Sequence, residues 1–275
     1  MFPTFVLFGR EISVYMVLAT MGVLAAGFFA CYAAKRKGKN VDDTIIFLLI
    51  CALGAVIGSH LLYGVTNIRL IGAVIANPGV IDSIQTFFEL LYLVFGGAVF
   101  YGGLLGGLFA GFVYTRRKKE TVDSYGDIAA PAIPLLHTFG RIGCFLGGCC
   151  YGVESSFGVI YTHNPIEQAN GVSRFPIQLV EALFNFMLFM VLSGFLKRGM
   201  FKDKLLYCYL LCYSAARFVI EFWRGDTYRG ILWSLSTSQW ISLGIFISVS
   251  LILFIKWKKG ELSRSNTKQT PARAE

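Results

Sequence analysis

The stretch HTFGRIGCFLGGCCYG, His137 to Gly152, places an arginine, a histidine and three cysteines inside a region otherwise rich in apolar residues. A second stretch, YSAARFVIEFWRGD, sets Arg217, Glu221 and Arg224 at i, i+4 and i+7, so two cations and a carboxylate share one helical face. A third, RFPIQLVEALFNF, has Gln178 and Glu181 three apart, again on one face. Guanidinium groups stay charged and present a planar fork of donors that suits phosphate or carboxylate. A glutamate among them is expected to pair with an arginine of a neighbouring helix. Charge inside an apolar span is costly and marks a functional site by default. The chemistry implied is the binding of an anionic headgroup.

The cysteines leave several chemistries open. Cys144 or Cys149, close in sequence to Arg141, suits a thiolate nucleophile or a redox centre. A Cys144–Cys149 disulfide is a second reading on an outward face. C-x4-C-C is not a common zinc spacing, though His137 or His163 would complete a three-cysteine site; no resident metal or other cofactor is expected. Packing of small apolar side chains is the fourth reading, and it is the one taken for Cys31, Cys51, Cys208 and Cys212. His137, one turn before Arg141, is either a base or a hydrogen-bonded structural group. Tyr101 precedes the pair Gly102-Gly103 and is able to turn its hydroxyl into the same cavity.

These groups need elements to hold them. Hydrophobic residues form 55% of the chain and charged residues 15%, against roughly 25% charged in soluble domains. Apolar runs recur at 12–34, 43–64, 91–114, 127–146, 176–196, 204–222 and 238–257. Each approaches the roughly 20 residues that span a bilayer as a helix. The expected architecture is therefore an all-α membrane protein of seven transmembrane helices, one domain over 1–257 and a basic, disordered tail over 258–275. The fourth run contains Pro131 and Pro134 and is the candidate for a broken or re-entrant helix.

Eighteen of the twenty-five Lys and Arg fall in 35–40, 116–120, 197–204 and 256–275, on alternate connections. By the positive-inside rule these face the cytoplasm, with the N-terminus outside and the C-terminus inside. The net charge of +9 is thus a topology signal, and nucleic acid is not an expected partner. The remaining seven basic residues are all arginine. Arg10, Arg69 and Arg229 read as ion pairs or interface anchors. Glycines in VFGGAVFYGGLLGGLFAG allow close helix packing, or form a wall along which a lipid passes. The segment after the second span reads as short interfacial helices broken at Asn77-Pro78-Gly79, and its counterpart at 152–175 as a polar arm. No inverted repeat of the transporter kind is evident.

From EISVYMVLATMGVLAAG through FYGGLLGG, DIAAPAIPLLHTFGRIGCFLGGCCYG, RFPIQLVEA and YSAARFVIEFWRGD to STSQWISLG, the chain resembles the prolipoprotein diacylglyceryl transferases of bacterial membranes. The resemblance implies seven transmembrane helices in a bacterial inner membrane. It also implies transfer of the diacylglyceryl group of phosphatidylglycerol, or a similar anionic phospholipid, to a prolipoprotein cysteine thiol. Arg141 and Arg217 match the family's functional arginines, with phosphate binding as their implied role and Glu181 and Glu221 orienting them. Tyr15, Asp127, Gln178, Tyr213 and Arg224 match further motif positions, and Gly102, Gly103, Gly143 and Cys144 fall within the same motifs.

The departures lie at the chemistry. The family's third-span motif has histidine before the glycine pair, where this chain has Tyr101. Its signature Gly-Arg-x-Gly-Asn-Phe-x-Asn-Gly-Glu here carries Cys144, Gly147 and Cys149 in place of the two asparagines and the glutamate, with Cys150 following. A tyrosine of ordinary pKa near 10 is a poor base at neutral pH, so His137 as base or Cys149 as nucleophile are the expected compensations. The rival reading is a membrane protein of the same fold that uses its cysteines for thiol, redox or metal chemistry without transfer.

Overall fold

A computed structural model describes residues 3–97, 99–118, 122–162, 164, 166–226 and 231–259. Among them, six helices are long and apolar enough to cross a membrane. The chain divides into two compact units, one of residues 1–30 and 123–275, the other of residues 31–122.

The first unit opens with an antiparallel hairpin, β1 (Thr4–Leu7) and β2 (Arg10–Ser13), that leads into α1 (Val14–Arg36). It continues with α6 (Val122–Gly147), a hairpin of β3 (Glu154–Ile160) and β4 (Ser173–Arg174), α7 (Ile177–Arg198), α8 (Leu205–Ile220), a small hairpin of β5 (Ile231–Leu232) and β6 (Leu235–Ser236), and α9 (Thr237–Lys258). The sequence signals for these ends are local. Ser236 and Gln239 form a reciprocal capping box at the start of α9, and Gly199 closes α7 in the left-handed conformation that glycine adopts without strain.

α6 is continuous, so the run with Pro131 and Pro134 is an unbroken span and not the broken or re-entrant helix that was its alternative. Each proline removes one backbone donor, but α6 is the most enclosed of the six spans, with both prolines fully buried, so its surroundings hold its path. Thr138 also donates to the carbonyl of Pro134 at 2.8 Å. Near its start, buried Asp127 accepts the backbone N–H groups of Asp203 (2.7 Å) and Leu205 (3.0 Å) and so caps α8.

The second unit holds α2 (Val41–Thr66), α3 (Ile68–Ala76), a 3-10 turn (Pro78–Val80), α4 (Ile84–Phe95) and α5 (Phe100–Arg117). The helix break expected at Asn77-Pro78-Gly79 is present. The run 91–114, expected as one span, is two helices interrupted at Gly96 and Gly97. Two adjacent glycines weaken a helix by about 1 kcal/mol each. The Tyr63 ring fills the space a side chain at 97 would need, and the N–H of Val99 bonds to the Ser59 carbonyl of α2 at 3.1 Å.

α2 and α5 meet backbone to backbone. A Cβ at Gly58 would overlap the carbonyl oxygen of Gly102, and one at Gly106 that of Gly54. The glycine stripe is therefore a packing seam between these two helices. At its end Lys118 Nζ pairs with Asp43 Oδ1 at 2.7 Å.

Candidate active site

Three helices of the first unit supply a chain of alternating charge. Arg141 of α6 places Nε 3.0 Å from Oε1 of Glu181 on α7. The other carboxylate oxygen of Glu181 lies 3.8 Å from Nη1 of Arg217 on α8. Nη2 of Arg217 then reaches Glu221 Oε2 at 2.7 Å, one turn on, and donates to Ser238 Oγ of α9 at 3.4 Å. The two glutamate side chains are 3% and 1% exposed, Arg217 is 10% exposed, and Arg141 is the most open at 20%. The four charges sum to zero, which is what makes so buried a cluster tolerable. Arg217 Nη1, at 3.8 Å, is too far from Glu181 to hydrogen-bond, and both it and Glu181 Oε1 are buried atoms held by charge without a hydrogen bond.

Around this chain stand aromatic rings. His137 lies 5.2 Å from the ring of Tyr213, which stacks on Tyr209 at 5.6 Å. The Nδ1 of His137 is buried without a hydrogen bond of good geometry. Tyr15, at the start of α1, covers Gly143 and Gly147 of α6; a Cβ at Gly143 would press to 3.2 Å of its ring.

The cysteine loop follows from how α6 ends. Gly148, at φ +77°, donates its N–H to the Phe145 carbonyl, and Cys149 donates to the Cys144 carbonyl at 3.1 Å. These two bonds form a Schellman turn, which folds the chain back over the last helical turn. Cys150 follows in the left-handed region at φ +57°, unusual for a residue with a side chain. The result is that the sulfurs of Cys144, Cys149 and Cys150 lie within 4.8 Å of one another. None of the seven cysteines is in a disulfide. Hydrogen bonds from the Cys144 and Cys149 thiols hold the Cys150 thiol well below its ordinary pKa against the effect of burial, and the Arg224 and Arg141 charges add to the lowering.

Other elements clamp the loop. Gln178, almost fully buried, donates to the Cys149 carbonyl at 2.9 Å while its amide meets the Tyr161 hydroxyl. Asn164 donates to the Gly148 carbonyl at 2.7 Å. Beyond α8, Gly152 and Arg224 form a β-bridge, and Gly225 donates to the Tyr151 carbonyl at 2.9 Å. Arg224 binds Asp226 through Nε (3.0 Å) and Nη2 (2.6 Å). Arg174 lies 4.5 Å over the Tyr151 ring and donates to three backbone carbonyls of the loop region.

The structure thus brings Arg141, Glu181, Arg217, Glu221, Tyr213 and His137 into one cluster and sets Cys144, Cys149, Cys150 and Tyr15 along the last turn of α6. Several expected binding residues have other work. Asp127 caps the far end of α8, about 24 Å from Glu221 for a 16-residue helix. Gln178 spends its amide on the protein's own loop. Gly102 and Gly103 face α2 across the packing seam, and Gly143 lies beneath Tyr15. Tyr101 falls in the first turn of α5, but its side chain lies outside the described residues, as does His163. Tyr161, Asn164 and Ser238 were not singled out from sequence. Ser238 falls within the stretch STSQWISLG that carries the resemblance, but nothing in that stretch distinguished it.

A family model described as prolipoprotein diacylglyceryl transferase matches residues 3–255. The chain is 33% identical over 250 residues to the phosphatidylglycerol–prolipoprotein diacylglyceryl transferase of Clostridium tetani, covering 88% of this chain and 94% of that protein. It is 32% identical to a second such enzyme from Clostridium perfringens, covering 92% and 94%. With the corresponding protein of Enterococcus faecalis the identity is 27%, over 95% of this chain and 92% of the relative.

Proposed function

The chain belongs to the prolipoprotein diacylglyceryl transferase family, and from that premise we propose that it moves the diacylglyceryl group of phosphatidylglycerol to the lipobox cysteine of a prolipoprotein. The observation that carries this reading is the Arg141–Glu181–Arg217–Glu221 chain, built into a helix bundle directly beside a thiol-bearing loop.

In the reaction the acceptor thiolate attacks the glycerol carbon that bears the phosphate. The C–O bond breaks, its electron pair stays on the phosphate oxygen, and glycerol phosphate leaves. Negative charge grows on that oxygen, and fixed donors aimed at developing charge are commonly the largest catalytic contribution. Arg141, held through Nε and open at its far end, binds the phosphate; Arg217, deeper, tightens the field. Glu181 and Glu221 fix both guanidinium planes so that little reorganisation is needed when charge develops.

The topology we infer has α5 as a seventh crossing, with the N-terminus outside and the C-terminus in the cytoplasm of a bacterial inner membrane. Supporting it, the end of α6, the start of α7 and the end of α8 carry the site groups. These are the helix ends that such a topology puts on the outer face, where the acceptor cysteine is presented. Turnover of labelled phosphatidylglycerol in proteoliposomes with a lipobox peptide tests the reading. Glycerol phosphate release with a lipidated peptide, lost in Arg141→Ala, is the expected outcome; no release by folded wild-type protein would refute it.

A further inference from the structure

We propose that Cys144, Cys149 and Cys150 form a three-thiolate zinc site whose open fourth position takes the acceptor thiol and activates it. The inference rests on the transfer reading above and supplies the step for which that reading has no assigned base.

The geometry comes first. A zinc–sulfur bond is about 2.3 Å, so three sulfurs on a tetrahedral ion stand about 3.8 Å apart. Here the three lie within 4.8 Å of one another, a gap that rotation of thiol side chains can close. The cluster is assembled by backbone hydrogen bonds and two successive departures into positive φ, at Gly148 and at Cys150. A left-handed non-glycine residue is strained and persists where surrounding structure over-determines it. Here Gln178, Asn164 and the Gly152–Arg224 bridge do so. Mere packing of three small side chains would not need that strain.

Ligand number and charge come next. Among the described residues the group holds these three thiols and no further histidine, cysteine or carboxylate. A closed structural zinc site wants four protein ligands, whereas a catalytic one keeps three and leaves a position for water or substrate. Three thiolates and Zn2+ carry a net charge of −1, and a bound acceptor thiolate makes it −2. Cations are at hand: Arg141 is three residues before Cys144 on the same helix face, and Arg224 is bridged to Gly152. Cys149 and Cys150 are partly exposed while Cys144 is buried, so the ion would sit with one side open.

The step balances without an oxidant. The acceptor R–SH binds Zn2+ as thiolate and releases its proton, since a coordinated thiol is deprotonated outright. Its sulfur attacks the glycerol carbon; a C–S bond forms and the C–O bond to phosphate breaks. The leaving phosphate monoester, with a second pKa near 6, shares the released proton with solvent. The thioether product is neutral and a weak ligand, so it leaves and zinc remains divalent throughout.

Zinc content and zinc-edge X-ray absorption on the full-length protein, purified, stripped with a chelator and reloaded with Zn2+ alone, test this. The expected result is one zinc per chain with three sulfurs at about 2.3 Å, rising to four sulfurs with a lipobox peptide and staying at three with the same peptide carrying alanine for cysteine. Chelation abolishes glycerol phosphate release and Zn2+ restores it. Cys149→Ser and Cys150→Ser each lower zinc occupancy at least tenfold; the absorption spectra of unmutated protein stand even if a variant fails to fold. Reloaded protein that holds no zinc on sulfur would overturn the zinc site, and stripped protein that transfers at the full rate would overturn acceptor activation; both leave the transfer reading intact. A three-sulfur zinc that never gains the peptide sulfur would overturn acceptor activation. A fourth sulfur from the peptide without any glycerol phosphate release would uphold the zinc site and overturn the transfer reading.

Discussion

Glu181→Gln isolates the charge that joins the two site arginines. The carboxylate sits 3.0 Å from Arg141 and 3.8 Å from Arg217 and is 3% exposed. At an effective dielectric of about 20, each such pair is worth about 4 kcal/mol before desolvation. Glutamine keeps the shape and one carbonyl acceptor but leaves two guanidinium groups facing each other with Glu221 as the remaining counter-charge. Removing one member of a buried ionic cluster costs about 3–5 kcal/mol when it is fully enclosed. With Arg141 one-fifth open to screening, about 2–3 kcal/mol is the expected destabilisation. The cluster then carries a net +1, so an anionic headgroup should recover more stability in the variant than in the wild type. Thermal unfolding in phosphatidylcholine and in phosphatidylglycerol mixed micelles measures both effects. Wild-type stability of Glu181→Gln, or equal recovery by the two lipids, would refute the assignment of this cluster as an anion site.

Arg141→Lys keeps the charge but loses the fork that Nε anchors, and transfer should fall by about 100- to 1000-fold with the protein still folded, as is typical of losing one oxyanion donor. Asp127→Ala leaves the N–H groups of Asp203 and Leu205 without their cap. It should lower stability by about 1–3 kcal/mol while turnover per folded molecule, measured in the same proteoliposomes, stays unchanged. Gly102→Val drives a branched side chain into the backbone of α2, and size-exclusion chromatography should show loss of folded protein rather than loss of lipid binding. Gln178→Leu frees the Cys149 carbonyl; alkylation of Cys149 and Cys150 should speed up several-fold, and unchanged rates would show that the loop is held without this residue.

The arginines and glutamates of the site were legible because their helical spacing decides which face they share, and a buried face of mixed charge has few ways to be satisfied. The spans were legible from length and polarity, with one exception. At 91–114 the composition stays apolar across Gly96 and Gly97, and only the tertiary fit of Tyr63 against Gly97 reveals that the helix stops there. Asp127 and Gln178 bond the protein's own backbone: matching a motif says that a polar residue is needed, not what it bonds. Asn164 and Tyr161 gave no signal, because a buried amide or phenol that braces a loop has no periodicity.

The Schellman turn at the end of α6 has a consequence for how such a cluster can arise. Its two bonds, its glycine hinge and its left-handed cysteine all fall within residues 144–150, while the groups that hold this path, Gln178, Asn164 and Arg224, come from outside it. A helix that already ends in this turn acquires three converging thiols by exchanging side chains at three positions, with no change in backbone path. The soft donor set is thus a matter of three side chains on a backbone path that the hinge glycine and its clamps already fix.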